Sequence, residues 1–220
     1  MRLKENIRLR KIANMRKKKN AALSPIAKLG KRIFDLICGI VGFTVFFPFM
    51  VIVYIAIKVS DRGPAIFKQE RIGKGGKPFT LYKFRSMRLD AEAGGTPQLY
   101  AGDEDERLTR VGRFIREHHL DELPQLWNVI KGDMSFVGYR PERQFFIDQI
   151  MEHNPDYARL YEIRPGLFSR ATLYNGYTDT MEKMLERLRM DLEYLDHFSP
   201  WEDIKIVTLT AFSIISGKKF

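Results

Sequence analysis

The sequence predicts an α-rich α+β fold made of a membrane-inserted helical segment, a short β-hairpin and several amphipathic helices. Three observations support this prediction. Residues 36–57 form a run of 22 residues without a charge. Two short runs rich in aromatic and β-branched residues flank a glycine-rich loop at 71–78. Farther along the chain, apolar residues recur every three or four positions, which is the period of a helix with one buried face.

The composition is that of one basic globular domain. The chain has 220 residues, a formal charge of +10 and 45% hydrophobic residues, so disorder is excluded as its main state. A single Cys excludes an internal disulfide and a cysteine-based zinc cluster, and the four His residues show no metal-ligand spacing. A basic protein of this kind can bind nucleic acid, an anionic membrane surface or phosphorylated substrates.

The positive charge is confined to the two sides of the apolar run. Residues 1–32 carry a formal charge of +11 and residues 58–88 carry +7, whereas residues 89–220 carry −7. Because most of the chain is acidic, no nucleic-acid partner is expected. The basic N-terminal segment 1–32 is expected to attract anionic lipid headgroups, although a solvated tail explains its composition equally well.

The uncharged run is long enough to cross a bilayer. At about 1.5 Å per residue, a straight helix over 36–57 reaches roughly 33 Å. So long a run without a charge disfavours a buried helix of a soluble domain. A cleaved signal peptide is also disfavoured, because the basic segment before the run is too long and no small-residue cleavage site follows it.

Pro48 and the flanking charges shape the prediction for residues 33–59. Pro48 removes a backbone donor and clashes with the preceding turn, so a break in the helix is expected there. Basic flanks stay in the cytoplasm, and both flanks are basic. A re-entrant helix–break–helix keeps both basic flanks in the cytoplasm. A kinked helix that crosses the membrane once remains the alternative. Asp35 needs a cationic partner, with Lys31 or Arg32 in reach.

Residues 60–220 are predicted to form one cytoplasmic domain. The segments 65–67 and 79–84 are predicted strands of the hairpin, whose loop lacks the glycine spacing of a phosphate-binding P-loop. Residues 90–106 are predicted to form a solvated acidic loop, with a metal site at 103–106 as the alternative.

Four helices are predicted in this domain. The apolar periodicity places them at 107–119, from near 121 to 130, at 179–198 and from 199 to about 217. The second begins near Asp121 because Pro124 is tolerated only in a first turn. The last begins with Ser199 as the N-cap and Glu202 in a capping box, and its apolar face either packs on the core or lies in the membrane interface.

The neighbouring acids Asp121 and Glu122 are the strongest candidates for chemistry. On a helix their side chains point about 100° apart, so one carboxylate can attack a phosphorus atom while the other helps to hold a divalent cation. Basic side chains would neutralise the phosphate charge. The pair alone is weak evidence, because acids are common at helix starts, where the free N–H groups and the helix dipole favour them.

The region around this pair resembles the signature of a known enzyme family. The run DELPQLWNVIKGDMSFVGYRPE at 121–142 is similar to the signature of the bacterial sugar transferases, the monotopic phosphoglycosyltransferases. Further similarity lies at KRIFD (31–35), in the apolar segment with its proline, at YKFRSM (82–87), at RPG (164–166) and in the terminal helix. The resemblance covers nearly all of the chain after about residue 28.

The resemblance implies a reaction and a cofactor. A sugar 1-phosphate would move from a UDP-sugar to a polyprenol phosphate such as undecaprenyl phosphate, in the first membrane step of capsule, exopolysaccharide, O-antigen or glycoprotein glycan assembly. Asp121 would attack the β-phosphate, release UMP and carry the phosphosugar until the polyprenol phosphate accepts it. The implied cofactor is Mg²⁺, which Asp121 and Glu122 would place.

The resemblance also implies a location and further site residues. The protein would lie in the bacterial inner membrane, with its catalytic domain on the cytoplasmic face and a re-entrant helix broken at Pro48 in contact with membrane lipid. Arg116 resembles a family arginine that contacts phosphate. Phosphate or nucleotide contacts are also expected from Lys83, Arg85, Arg140, Pro141 and Arg164, with solvated or structural ion pairs as the alternative for the basic residues. The expected membrane-anchor residues are Lys31, Arg32, Asp35 and Pro48.

Two departures from the family pattern leave the donor sugar open. Tyr139 stands in Gly-Tyr-Arg-Pro at 138–141, where the family usually has Gly-Pro-Arg-Pro, and residues 167–172 differ from the usual run after Arg-Pro-Gly. The glycan pathway and a homo-oligomeric state are open as well. A membrane-tethered scaffold, in which the acid pair only caps a helix, is the alternative from another class of protein.

Overall fold

The computed structural model describes residues 24–93, 95, 97, 105–175 and 178–216. The basic segment 1–32 and the acidic loop 90–106, with its alternative metal site, therefore lie largely outside the described residues. The helices are α1 (Pro25–Ser60), α2 (Arg110–Glu117), α3 (Gln125–Lys131), α4 (Gln144–His153), α5 (Arg170–Asn175), α6 (Met181–Asp196) and α7 (Pro200–Ile215). The strands are β1 (Ile66–Ile72), β2 (Pro78–Phe84), β3 (Ser135–Val137) and β4 (Gly166–Phe168).

Helix α1 carries the uncharged run and continues through Pro48. Ser24 caps its start by accepting a hydrogen bond from the backbone N–H of Ala27. Among the described residues α1 is the one helix long and apolar enough to cross a membrane, and 17% of its most apolar window is buried. Two helices separated by a break were expected, whereas the structure has one. A proline removes a single backbone hydrogen bond, and a long helix retains those on either side of it.

One face of α1 lies along the folded domain over most of its length. Near the start, Gly39 and Gly42 approach the side chains of α3 closely. Farther along, Met50, Val53 and Ile57 are buried in a core cluster with side chains of β2 and α2. The opposite face exposes apolar side chains, among them Ile33, Ile37, Ile40, Val41, Val45, Phe46, Phe49, Ile52 and Ile55.

Asp35 fastens the start of α1 to the domain. Its carboxylate is 1% exposed and accepts hydrogen bonds from the hydroxyl of Ser135 (2.8 Å) and the backbone N–H of Phe136 (2.9 Å). Of the two cations predicted as partners of Asp35, Lys31 is the one that pairs with it. The Nζ of Lys31 lies 3.8 Å from Oδ1 of Asp35 and 2.7 Å from Oδ2 of Asp203 in α7. Arg32, the second candidate, instead donates hydrogen bonds to two carbonyl groups at the end of α3.

The predicted hairpin is present and is fixed to α3. Strands β1 and β2 pair in antiparallel fashion, from Ile66 opposite Phe84 to Ile72 opposite Pro78. Strand β1 is longer than predicted. The side chain of Asn128 in α3 accepts a hydrogen bond from the N–H of Tyr82 and donates one to a carbonyl of β2, so the hairpin has a fixed position relative to α3.

The acid pair lies before α3 and not in it. His119 lies between the end of α2 and the next turn, and its backbone has a left-handed conformation with φ 55°. Asp121 and Glu122 then lie in a short 3₁₀ turn, and α3 begins at Gln125, after Pro124. The helix start predicted near Asp121 is therefore wrong by four residues, because the chain makes a tighter turn before the proline.

Two short elements bring the segment after β3 to the centre of the domain. Strands β3 and β4 are parallel, with Ser135 opposite Gly166. A Cβ on Gly166 would lie 2.0 Å from the backbone nitrogen of Gly138, so only glycine allows this close approach. The segment at 138–142 consequently passes over a core in which Tyr139 is fully buried between α4 and α6.

The two C-terminal helices agree with their predicted positions. The side chain of Ser199 accepts a hydrogen bond from the N–H of Glu202, which confirms the predicted N-cap of α7. The buried side of α7 includes Asp203, Ile206 and Thr210, while the apolar side chains of Trp201, Ile204 and Phe212 are exposed.

We expect Asp35→Ala to lower the free energy of unfolding by about 1–3 kcal/mol, because two buried donors lose their acceptor. Denaturant titration of the detergent-solubilised protein measures this. Asp179→Ala is the control, since its pair with Lys183 is exposed and contributes little to stability. Equal losses in the two variants would contradict a fastening role for Asp35.

Candidate active site

Two cavities meet at Asp121. The larger has a volume of about 350 Å³ and lies between the hairpin, the acid pair, the segment after β3 and α6. The smaller has a volume of about 90 Å³ and lies on the side of Glu122, His119 and the start of α5. Both cavities are lined by Lys83, Arg116, Asp121, Arg140, Thr178 and Arg187. Six side chains therefore form a shared wall, and one of them is the buried carboxylate of Asp121.

Glu122 is shared by two cations. Its Oε1 lies 2.8 Å from Nζ of Lys83 and 2.6 Å from Nη2 of Arg140. Burial raises the pKa of Glu122, but Arg140 and Lys83 outweigh it and hold that pKa well below the ordinary value. Glu122 is consequently ionised, and it joins β2 to the segment that follows β3.

Asp121 is the opposite case. The side chain is 5% exposed, and the charges that act on its carboxylate are those of Lys83, Glu122, Arg116 and His119. Burial raises the pKa of Asp121, and Glu122 adds to that rise, while Lys83 and Arg116 act against it. Asp121 is thus a buried carboxylate that lines both cavities, a position that suits a nucleophile or a metal ligand.

The larger cavity is strongly cationic and contains unused donors. Its lining has three acids, Glu92, Asp121 and Glu142, against nine basic side chains, Arg71, Lys83, Arg85, Arg88, Arg107, Arg116, Arg140, Arg143 and Arg187. Within the described part of the chain, two buried donors of this lining have no hydrogen-bond partner, the Nε of Arg85 and the Nε2 of Gln125. Such a cavity fits a ligand with several negative charges.

The structure brings most of the predicted site residues together, with two qualifications. Lys83, Arg85, Arg116, Asp121, Arg140 and Pro141 line the larger cavity, and Glu122 lines the smaller one. Arg85 is also tied to the end of α1, since its guanidinium donates to the carbonyl groups of Asp61 and Arg62. Arg164 lines neither cavity. Its Nε donates a hydrogen bond to the carbonyl of Gly132, and the contact predicted between Arg164 and a phosphate or nucleotide stays a prediction.

Sequence reasoning missed a second bridge, centred on Glu142. Its Oε1 lies 2.5 Å from Nη1 of Arg71, and its Oε2 lies 2.5 Å from Nη2 of Arg187. Burial raises the pKa of Glu142, but Arg187 and Arg71 outweigh it and lower that pKa to about 2. One sequence feature could have predicted this bridge. In α6 the charged Arg187 lies on the same helical face as the buried apolar residues Met184 and Leu188.

The carboxylates suit a divalent cation that also binds the substrate. No group of three or more His, Cys, Asp or Glu side chains within the described ranges forms a metal site by itself. Proteins usually bind Mg²⁺ through one or two carboxylates, with water and substrate phosphates completing the shell. Asp121 and Glu122 fit this arrangement, and Asp121 is the more available ligand because cations already occupy Glu122.

The chain belongs to the bacterial sugar transferase family, whose sequence profile matches residues 26–217. It is 39% identical over 194 residues to the UDP-N-acetylgalactosamine-undecaprenyl-phosphate N-acetylgalactosaminephosphotransferase of Aeromonas hydrophila, a match that covers 88% of this chain and 45% of that protein. It is 40% identical over 190 residues to the UDP-glucose:undecaprenyl-phosphate glucose-1-phosphate transferase of Caulobacter vibrioides, covering 86% of this chain and 70% of that protein.

A third relative is the UDP-glucose:undecaprenyl-phosphate glucose-1-phosphate transferase of Escherichia coli K12. It is 40% identical over 192 residues, which cover 86% of this chain and 41% of that protein. The chain thus spans less than half the length of the Aeromonas and Escherichia proteins. The comparison places the two cavities and the acid pair within the part that this chain shares with them.

We expect Glu122→Gln to flatten the dependence of stability on acid pH. The folded pKa of Glu122 lies well below its ordinary value of 4.5, so its stabilising contribution is present above that value and is lost as the pH falls below it. Unfolding titrations between about pH 3 and pH 7 measure the slope. Glu182→Gln, at an exposed position of α6, should keep the wild-type slope. Identical slopes in wild type and Glu122→Gln would contradict this electrostatic assignment.

Proposed function

We propose that this protein transfers a sugar 1-phosphate from a UDP-sugar to undecaprenyl phosphate. The observation that carries the proposal is the buried Asp121 carboxylate at the junction of two cavities that Lys83, Arg116 and Arg140 also line. The names of the three relatives support the same pair of substrates. As the first membrane-bound step, the reaction would start a capsule, exopolysaccharide, O-antigen or glycoprotein glycan.

Asp121 is the proposed nucleophile. An oxygen of its carboxylate forms a bond to the β-phosphorus of the donor, and the bond from that phosphorus to the bridging oxygen breaks, so UMP leaves with the electron pair. The phosphosugar remains on Asp121. An oxygen of undecaprenyl phosphate then attacks the same phosphorus and regenerates the carboxylate. Lys83, Arg116 and Arg140 surround the reacting phosphate and stabilise its negative charge.

Mg²⁺ is the proposed cofactor, held by Asp121 and Glu122. When bound, it would neutralise part of the charge on the diphosphate. Glu122 has a second task that needs no metal, because its carboxylate holds Lys83 and Arg140 within 2.8 Å and 2.6 Å of one oxygen. In this proposal Asp121 reacts with the donor, and Glu122 orients the two cations.

The membrane arrangement follows from the contacts of α1. Asp35 binds the domain near the start of the helix, and Met50, Val53 and Ile57 pack on it near the end. A helix that crossed the bilayer would carry this polar domain into the hydrocarbon, which is unfavourable. We therefore propose that α1 enters the inner membrane without crossing it, as a re-entrant segment does, although its helix is continuous at Pro48. Both ends and the catalytic domain would then lie on the cytoplasmic face. The exposed apolar face of α1 would contact lipid.

We expect Asp121→Asn to reduce UMP release from UDP-sugars by at least about 1,000-fold, because an amide cannot act as the nucleophile. UMP is measured with detergent-solubilised full-length protein, undecaprenyl phosphate and Mg²⁺. Asp148→Asn, at an exposed position of α4, should retain wild-type activity. Full activity of Asp121→Asn would refute the mechanism. Absence of both turnover and thermal stabilisation with every UDP-sugar would favour the scaffold alternative.

We expect Lys83→Met to move the acid limb of the rate profile to higher pH. The ionised form of Asp121 attacks, so the rate falls as the pH drops through the pKa of that carboxyl group. Burial raises this pKa and Lys83 opposes the rise, so removing Lys83 raises the pKa further. Single-turnover UMP release measured against pH tests this, with Lys183→Met as the control. If the acid limb of the Lys83→Met profile stays at the wild-type pH or moves to lower pH, Lys83 does not lower the pKa of Asp121 as expected.

The arrangement of α1 is tested by labelling a tag at either end of the chain from each side of the membrane. Both tags should react only from the cytoplasmic side, because the contacts of α1 keep its two ends beside the same domain. Tags are placed before residue 1 and after residue 220, and permeabilised cells serve as the control for reactivity. Labelling of one tag from the periplasmic side would overturn the re-entrant arrangement.

A further inference from the structure

Helix α6 brings a guanidinium to the wall between the two cavities. Arg187 is 8% exposed and lies on the buried stripe of α6, between Met184 and Leu188. It lines both cavities, as Asp121 does. Arg187 is far in sequence from the run at 121–142, and the proposed mechanism leaves it without a task.

Contacts on two sides fix the direction of this guanidinium. Its Nη2 donates to Oε2 of Glu142 at 2.5 Å, and its Nη1 donates to the hydroxyl of Thr178 at 2.9 Å. An arginine has five N–H donors, so within the described part of the chain three remain for a ligand. The side chain is thus oriented before any ligand binds, which reduces the entropy lost on binding.

Charge points to the kind of ligand. Glu142 is shared by Arg187 and Arg71, so this bridge has one positive charge in excess. The bridge of Lys83, Arg140 and Glu122, on the same cavity wall, has the same excess. A buried excess charge is costly unless an opposite charge compensates it. An anion that reaches both bridges would compensate both, and a diphosphate carries several negative charges on two neighbouring phosphate groups.

We propose that Arg187 binds a phosphate oxygen of the donor's diphosphate at the wall between the two cavities. This assignment rests on the proposed function and extends it to a residue outside the signature run. Glu142 and Thr178 act as positioning residues, since they touch Arg187 and not the reacting atoms. The competing explanation is that Arg187 only supports Glu142 and, through it, Arg71.

The test compares binding of UDP with binding of uridine, which lacks phosphate. Titrations use the detergent-solubilised full-length protein with Mg²⁺, and thermal unfolding is measured for every variant. We expect Arg187→Gln to weaken UDP binding about 10-fold or more and to leave uridine binding unchanged. Arg189→Gln is the matched control, because it lies two residues farther along α6, is exposed and pairs only with Glu186 and Glu193 among the described residues.

Glu142→Gln separates the two explanations. It keeps the charge of Arg187 but removes a contact that orients its guanidinium, so UDP binding should weaken less than in Arg187→Gln. If Arg187 were only a support, Glu142→Gln and Arg187→Gln would weaken UDP binding alike, and that outcome overturns the inference. Should Arg187→Gln not fold, Arg187→Lys keeps the charge without the planar fork and should weaken UDP binding to a smaller extent.

Two further outcomes separate this inference from the proposed function. Wild-type UDP affinity in Arg187→Gln, together with normal UMP release, would overturn the role of Arg187 and leave the proposed function intact. A wild-type protein that neither binds UDP nor releases UMP from any UDP-sugar would overturn the proposed function and this inference with it.

Discussion

The sharing of one carboxylate by two cations is the interaction on which the site depends. Glu122 holds Lys83 of the hairpin and Arg140 of the segment after β3, which are far apart in sequence. The neighbouring Asp121 is buried at the junction of the two cavities, where Lys83 also acts on its carboxylate. The pKa values of the two acids consequently diverge, with Glu122 below and Asp121 above the ordinary value. Divergent neighbours of this kind are typical of paired catalytic acids.

Helix α1 relates this site to the lipid substrate. The buried face of α1 packs on β2 and α2, next to the elements that carry Lys83 and Asp121, and its other face exposes apolar side chains. Arg85 links the end of α1 to the wall of the larger cavity. An acceptor that stays in the bilayer would therefore meet the active site close to the plane in which α1 lies. Holding both partners in that plane replaces diffusion in three dimensions by a search over a surface.

Sequence patterns predicted the elements with a clear period and the residues of the signature run. The long apolar helix, the hairpin and the amphipathic helices are confirmed, and Asp121 and Glu122 lie in one cavity system with most of the predicted cations. The parallel pair of β3 and β4 could not be predicted, because strands of three residues have no measurable period. Arg187, which was not predicted, lines both cavities, whereas the predicted Arg164 lines neither. Which guanidinium faces a cavity depends on contacts between distant segments, and a local pattern does not contain them.

The central claim is that a covalent phosphosugar forms on Asp121 before the acceptor takes part. The most direct measurement is UMP release in the absence of undecaprenyl phosphate, combined with the intact mass of the protein. The account predicts a burst of about one UMP per active site and a mass increase equal to one phosphosugar, located on the peptide that contains Asp121. No UMP release without acceptor, together with normal turnover in its presence, would contradict a covalent intermediate and favour direct transfer between the two substrates.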